Sequence, residues 1–283
     1  MRIGIDDPDD PRIAVFQGLR DHVLRQRRER PGGDVDGVFI AEGDIVVERA
    51  LRAGYELLSM LIDGKRTKPL PSVVPEEIPV YACAPNVLQR ITGYHLHRGV
   101  IACFARRALL TVDGAIRDAT SVVVAEGINN PTNMGVILRC AAGMAIDAYL
   151  LDQHCSDPLY RRCGRVSMGE AYALPYARLE QLPEGLAPLR EKGFTLIALT
   201  PEPSSLPIGE LKIGPDQKVA LLLGAEGPGL TPAALDAADF RVRIPMSGSV
   251  DSINVGSASA VAFYALSQAR NAGAEKNLSL IHI

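Results

Sequence analysis

Tryptophan is absent from the 283 residues, and aromatic residues of all kinds make up only 5% of them, so the chain offers no obvious platform of rings on which nucleobases could stack. Cysteine is sparse and scattered: Cys83, Cys103, Cys140, Cys155 and Cys163 form no C-x-x-C pair, and no histidine stands at metal-ligand spacing. That pattern excludes a disulfide framework and signals no zinc site, so buried, reduced thiols and no metal are expected. Long apolar runs are missing too. Nothing approaches the ~20 residues needed to span a bilayer, and the start, MRIGIDDPDDPR, is acidic where a secretory signal is basic and then apolar. A soluble, cytoplasmic protein with no membrane partner is expected. A formal net charge of -3 argues against a uniformly basic coat, although local patches decide phosphate binding.

Certain loop signatures are also lacking. The run GAEGPG at Gly224 to Gly229 does not have G-x-G-x-x-G spacing, and no G-x-x-x-x-G-K-[ST] occurs. GSASA at Gly256 to Ala260 has no closing glycine, which argues against the G-x-S-x-G elbow of serine hydrolases. A dinucleotide fold, a P-loop enzyme and a serine hydrolase are all disfavoured.

What is present is α/β patterning in two parts, with 47% hydrophobic residues to fill their cores. In residues 12–107 the spacing predicts an amphipathic helix Ile13 to Arg27, strands at Val38 to Ala41, Leu57 to Ile62, Ile78 to Ala82 and Gly99 to Ala105, and helices at Ile45 to Ala53 and Pro85 to Ile91. A mixed stretch, Arg106 to Ala119, reads as the connection. Residues 118–270 then alternate strictly: strands at Ser121 to Ala125, Ala148 to Leu151, Thr195 to Leu199, Val219 to Leu223 and Phe240 to Ile244, with helices between and after them. Such alternation implies a mostly parallel sheet covered on both faces. Residues 271–283 carry no evident pattern and are expected to form a loose, disordered tail.

Three turns of the second part share one layout of strand, tight loop and helix: NNPTNMGVILRCA at Asn129 to Ala141, LLLGAEGPGL at Leu221 to Leu230, and IPMSGSVDSINVGSASAVA at Ile244 to Ala262. Loops with so little side-chain bulk let a ligand lie against main-chain groups, and three of them could converge on one site. Ile244 and Ile253, flanked by small residues, suit the walls of an apolar pocket or an ordinary core. Asn133 and Asn254 stand where loops enter helices and serve equally as caps. Glu226 sits between the small residue Ala225 and Gly227, where a charge needs a definite partner.

These three segments, in this order, resemble the motifs of the SpoU/TrmH branch of the SPOUT RNA methyltransferases. CSDPLYRRCGRVSMGEAYALP resembles the stretch between the first two motifs, and FIAEGDIVVERAL and ITGYHLHRGVIA resemble a substrate-binding domain that many members carry. The resemblance implies a C-terminal trefoil-knotted SPOUT domain with a mostly parallel sheet, and a smaller N-terminal α/β RNA-binding domain similar to a ribosomal-protein fold. It implies S-adenosyl-L-methionine as cofactor, ribosomal or transfer RNA as partner, and a homodimer. Carried onto this chain, Thr200, Gly224, Ile244 and Ile253 would hold the cofactor, and Arg139, Asn133, Glu226, Ser252 and Asn254 would form the catalytic set. Arg161, Arg162 and Arg165 would face the RNA; arginines near the start (Arg20, Arg25, Arg27, Arg28, Arg30) and at Arg90, Arg98, Arg106 and Arg107 would add to them. His95 and His97 are read as structural or RNA-facing. The rival reading is a non-catalytic RNA-binding factor on the same fold. The third motif departs from the family pattern, with SINVGSASA in place of SLNVSVAAA.

Overall fold

The computed structural model of the chain describes residues 2–19, 37–96, 99–248 and 250–279. Two compact units emerge. One comprises Met1–Ala108 together with Asp157–Ala173; the other comprises Leu109–Ser156 together with Leu174–Ile283.

The first unit is built on a five-stranded sheet of order β1-β4-β3-β5-β2, formed by β1 (Arg2–Gly4), β2 (Val38–Glu42), β3 (Leu57–Asp63), β4 (Val80–Cys83) and β5 (Val100–Ala105). The pairs β1/β4 and β3/β4 are parallel, and β5 runs antiparallel to both β3 and β2. Side chains alternate between faces as a pleat requires. Phe39, Met60, Ala102 and Phe104 enter one core, and Ile40, Leu61, Ile101 and Cys103 enter another. Helices α1 (Asp44–Arg52) and α2 (Pro85–Thr92) belong to these cores. Gly54 follows α1 at φ +79°, the left-handed turn that glycine tolerates after a helix.

The predicted helix Ile13 to Arg27 is corrected: it appears as a 3-10 segment, Pro11–Phe16, that ends at Gln17 with extended backbone and Gly18 at φ +63°; the rest of its span, with Arg20, Arg25, Arg27, Arg28 and Arg30, and also His97 and Arg98, lies outside the described residues. Strand β1 falls in what reads as an acidic lead, because three residues are too few to carry a period.

Among the described residues the second unit holds seven strands, all parallel, in the order β10-β12-β9-β11-β6-β7-β8. In chain order its main elements are β6 (Ser121–Ala125), α3 (Pro131–Gly143), β7 (Ala148–Leu151), β8 (Tyr176–Arg178), α4 (Ala187–Glu191), β9 (Thr195–Leu199), β10 (Leu206–Pro207), β11 (Val219–Leu223), α5 (Pro232–Ala237), β12 (Phe240–Arg243) and α6 (Val255–Ser279). Strands β6, β7 and β11 are buried at every position, as continuous apolar runs in a doubly covered sheet should be.

One boundary is corrected. Asp157–Ala173, read from sequence as part of the second domain, packs with the first unit, because Leu159 and Tyr172 supply apolar surface to the core around Phe39. The helix α6 is drawn through 271–279, within the span expected as a tail.

Candidate active site

The loops that follow β9, β11 and β12 enclose a cavity of about 310 Å³ in the second unit. Those three strands are neighbours in the sheet, so their carboxyl ends open side by side, where α/β folds bind ligands. Thr200, Gly224, Glu226, Ile244, Ser252 and Ile253 all line it. Leu199, Leu223, Ile244 and Val255 make much of the wall apolar, while loop backbone supplies hydrogen-bonding groups. Its ionisable lining residues are both acids, Glu226 and Asp251.

Gly224 shows why the second loop needs glycine. A Cβ there would lie 2.1 Å from the carbonyl carbon of Gly229 and 2.1 Å from the nitrogen of Leu230. Both are backbone atoms and cannot step aside. The chain turns back on itself at Gly224, and Gly227 and Gly229 complete the turn at φ +91° and +75°.

A ring of hydrogen bonds ties the start of α3 to the loops after β11 and β12. Asn133 donates through Nδ2 to Glu226 Oε2 at 3.0 Å, and Asn254 donates through Nδ2 to Asn133 Oδ1 at 3.0 Å and to Glu226 Oε1 at 3.2 Å. Asn254 Oδ1 accepts from the Gly256 amide at 2.9 Å, so this residue also caps α6. Asn133 is not a cap. That task falls to Asn130, whose side chain accepts from the Thr132 amide, and leaves the buried Asn133 carboxamide to the ring. Gly256 sits against α3: a Cβ would come within 2.8 Å of Val136 Cγ1. Glycine at this point of SINVGSASA thus makes room for a valine.

Residues 120–264, which contain all of this geometry, match the SpoU rRNA Methylase family. The chain belongs to that family. An uncharacterized tRNA/rRNA methyltransferase of Mycobacterium tuberculosis is 42% identical over 260 residues, 91% of this chain and 89% of the relative. A crystal structure of an RNA 2'-O ribose methyltransferase has a TM-score of 0.74 at 28% identity, over 95% of this chain and 99% of that one. The SpoU methyltransferase AviRb from Streptomyces viridochromogenes, in complex with AdoMet, shares the fold with a TM-score of 0.73 at 22% identity, over 93% and 100% of the two chains.

In this SpoU-family chain Arg139 does not line the cavity. It is exposed on α3, three residues after Val136, and therefore on the flank of α3 that meets the start of α6. Arg161 needs correction. It is only 3% exposed, donates to the Glu42 carboxylate, and donates to the Tyr94 hydroxyl at 2.9 Å. A guanidinium committed to a buried carboxylate is not offered to a phosphate, so Arg161 anchors the short helix Arg161–Val166 within the first unit. Glu42 also accepts from Tyr94 at 2.8 Å and pairs with Arg165 at 3.3 Å. Burial pushes the Tyr94 hydroxyl well above its usual range, against the lowering influence of Arg161. Arg162 and Arg165 are exposed on the same helix.

Sequence reasoning missed Glu42 and Asp251. Asp251 had a signal, an acid within a loop of small residues; Glu42 had none, because it reads as the ordinary end of a strand. No helix of the described residues is long and apolar enough to cross a membrane.

Proposed function

We propose that this chain transfers the methyl group of S-adenosylmethionine to a ribose 2'-hydroxyl of ribosomal or transfer RNA. The observation that carries the reading is the cavity between three loops, with the Asn133–Glu226–Asn254 ring closing one side. Its chemistry fits the donor: apolar walls at Ile244 and Ile253 suit an adenine face, bare backbone at Gly224 suits close approach, and the carboxylates of Glu226 and Asp251 suit a molecule bearing sulfonium and ammonium charges. When bound, the donor supplies an electrophilic methyl carbon. The carbon–sulfur bond breaks as the oxygen–carbon bond forms, and the hydroxyl proton leaves to solvent.

The protein's share is chiefly alignment. Asn133, Glu226 and Asn254 hold the loops in register, and Ser252 presents an exposed hydroxyl on the cavity wall for the ribose. Arg139 acts as a cation that binds the adjoining phosphate and stabilises the forming alkoxide, because a guanidinium with a pKa above ~12 does not serve as a base at neutral pH. Arg162 and Arg165 contribute phosphate contacts from the first unit. The same reading includes the knotted threading of the second unit, a cytoplasmic location, and a homodimer through α6, supported by Val261 and Tyr264 exposed at 42% and 58%. Sedimentation should return a dimer.

The test is donor binding by calorimetry followed by tritiated methyl transfer to ribosomal and transfer RNA, with Arg139→Ala beside the parent. Labelled sites should resist alkaline cleavage at the 3' phosphate, the mark of a blocked 2'-hydroxyl. Label on a base would reject ribose chemistry, and donor binding without transfer to any RNA would favour a non-catalytic factor.

A further inference from the structure

The loop 224–230 supplies Gly224, Ala225, Glu226, Gly227 and Gly229 to the cavity wall, yet both of its feet are held by a residue outside it, Glu126. At the first foot the Glu126 amide donates to the Leu223 carbonyl at 2.9 Å, one step beyond the paired strands β6 and β11. At the second foot the Glu126 carboxylate accepts twice from Thr231, from its amide at 2.8 Å through Oε2 and from its hydroxyl at 2.8 Å through Oε1. The Thr231 hydroxyl in turn accepts from the Ala234 amide at 3.2 Å. Since that amide can only donate, the hydroxyl proton is committed to Glu126. One side chain thus fixes the point at which the loop ends and α5 begins.

Glu126 is only 9% exposed and does not line the cavity. Withdrawing a carboxylate from water is costly, and an apolar residue of similar volume commonly stabilises a fold as well, so an acid here needs a reason other than packing. Its acceptor geometry supplies one: a carboxylate presents two oxygens at fixed separation, and they match the two donors of a single threonine. Gly127, next in the chain, is held as well. Its amide donates to the buried Asp152 carboxylate at 3.0 Å, and a Cβ on it would stand 3.3 Å from Ala225 Cβ. Across the loop, the Gly229 amide donates to the Ala225 carbonyl at 3.0 Å. With both feet pinned, that bond sets the width of the loop and so the place of Glu226, which receives Asn133 and Asn254.

We infer that Glu126 is a positioning residue for the donor cavity: it staples the two feet of the loop 224–230, one through its own amide and the other through Thr231, and acts without touching the donor. The inference rests on S-adenosylmethionine occupying that cavity. It makes the end of β6 part of the donor site, because the loop wall there is held in place by a carboxylate that the cavity never meets.

The test uses the full chain. Glu126→Met keeps the bulk and removes both acceptors. Glu126→Gln is the conservative variant: its oxygen can still take the Thr231 amide while the hydroxyl turns to accept from its NH2 group. Melting curves establish that each folds. Hydrogen exchange in the donor-free proteins, read by mass spectrometry over residues 224–231, should quicken about tenfold or more in Glu126→Met and less than about threefold in Glu126→Gln, as the loss or retention of buried hydrogen bonds requires. Calorimetry should follow the same order, with affinity for S-adenosylmethionine falling about tenfold in the methionine variant and less than about threefold in the glutamine one. Should Glu126→Met not fold, Thr231→Val against Thr231→Ser decides, since only the serine keeps the hydroxyl. Parent-like exchange and donor affinity in Glu126→Met, or an equal loss in Glu126→Gln, overturn the proposal. If the parent binds no donor while the exchange contrast persists, the methyltransferase reading fails and the staple stands.

Discussion

Glu226 is exposed, yet both of its oxygens accept from asparagines at the starts of different helices, Asn133 in α3 and Asn254 before α6, so its importance is geometric. Glu226→Gln should replace one acceptor by an amide NH2 donor facing Asn133 or Asn254, each already a donor. We expect methyl transfer to fall at least about tenfold, the equivalent of ~1.4 kcal/mol, with a smaller loss of donor affinity, measured by turnover and calorimetry on the same preparation. The thiols set a second expectation. Burial, helped by Asp63, pushes Cys83 from 9.0 up to about 11; burial raises Cys155 further, and Cys140 also rises. Below pH 9 both folded and unfolded thiols keep their protons and stability is flat. Between about 9 and 11 the unfolded chain releases protons that the folded chain retains, so stability should decline as pH rises. Urea unfolding at stepped alkaline pH checks this, and a flat profile to pH 11 would refute it.

At the scale of elements, the loop after β11 is the most constrained piece of the second unit. Gly224→Ala would drive a methyl into the backbone of Gly229 and Leu230, and should abolish donor binding and lower the melting temperature by several degrees. Gly227→Ala meets nothing within 4 Å and bears only the strain of a left-handed backbone, about 1–2 kcal/mol. The contrast between two alanines three residues apart, read by thermal melting and donor calorimetry, separates steric closure from a general need for flexible glycine. Equal effects would mean that the loop has more freedom than its contacts indicate.

At the scale of the whole molecule, the first unit is discontinuous. Asp157–Ala173 contributes Tyr172, whose ring lies 5.2 Å from Phe39 and 6.1 Å from Tyr55, and Arg161, the buried partner of Glu42. Arg49 reaches the same segment, donating to the Met168 carbonyl at 2.7 Å and pairing with Glu170 at 2.7 Å. A fragment ending at Ala108 would therefore expose an aromatic face and strand a buried carboxylate, a combination that costs several kcal/mol. Such a fragment should melt well below a version that carries 157–173 on a flexible linker. Circular dichroism on the two is sufficient, and equal melting points would show the segment to be a passenger.

Five of the seven described strands of the second unit and the three loop motifs were legible in the chain itself, because continuous apolar runs between glycine-rich turns have few other readings and the motif order is specific. Residue chemistry also pointed to Asn133, Glu226 and Asn254 as partners in need of partners. The bonds of Asn133, however, join it to positions more than 90 apart in the chain, and no local pattern encodes which donor meets which acceptor. The same limit explains Arg161. On a helix beside two other arginines it looks like a surface charge, and only the packing of Asp157–Ala173 on the first unit brings Glu42 to it and turns a presumed RNA contact into a buried anchor. Short strands at Arg2–Gly4, Tyr176–Arg178 and Leu206–Pro207 were invisible for a related reason: two or three residues have no period, and their pairing is decided by the edge they join. Local sequence determined the elements and the identity of the chemistry-bearing loops; long-range burial and hydrogen-bond satisfaction, which depend on neighbours distant in the chain, decided the cavity, the ring and the unit to which each arginine belongs.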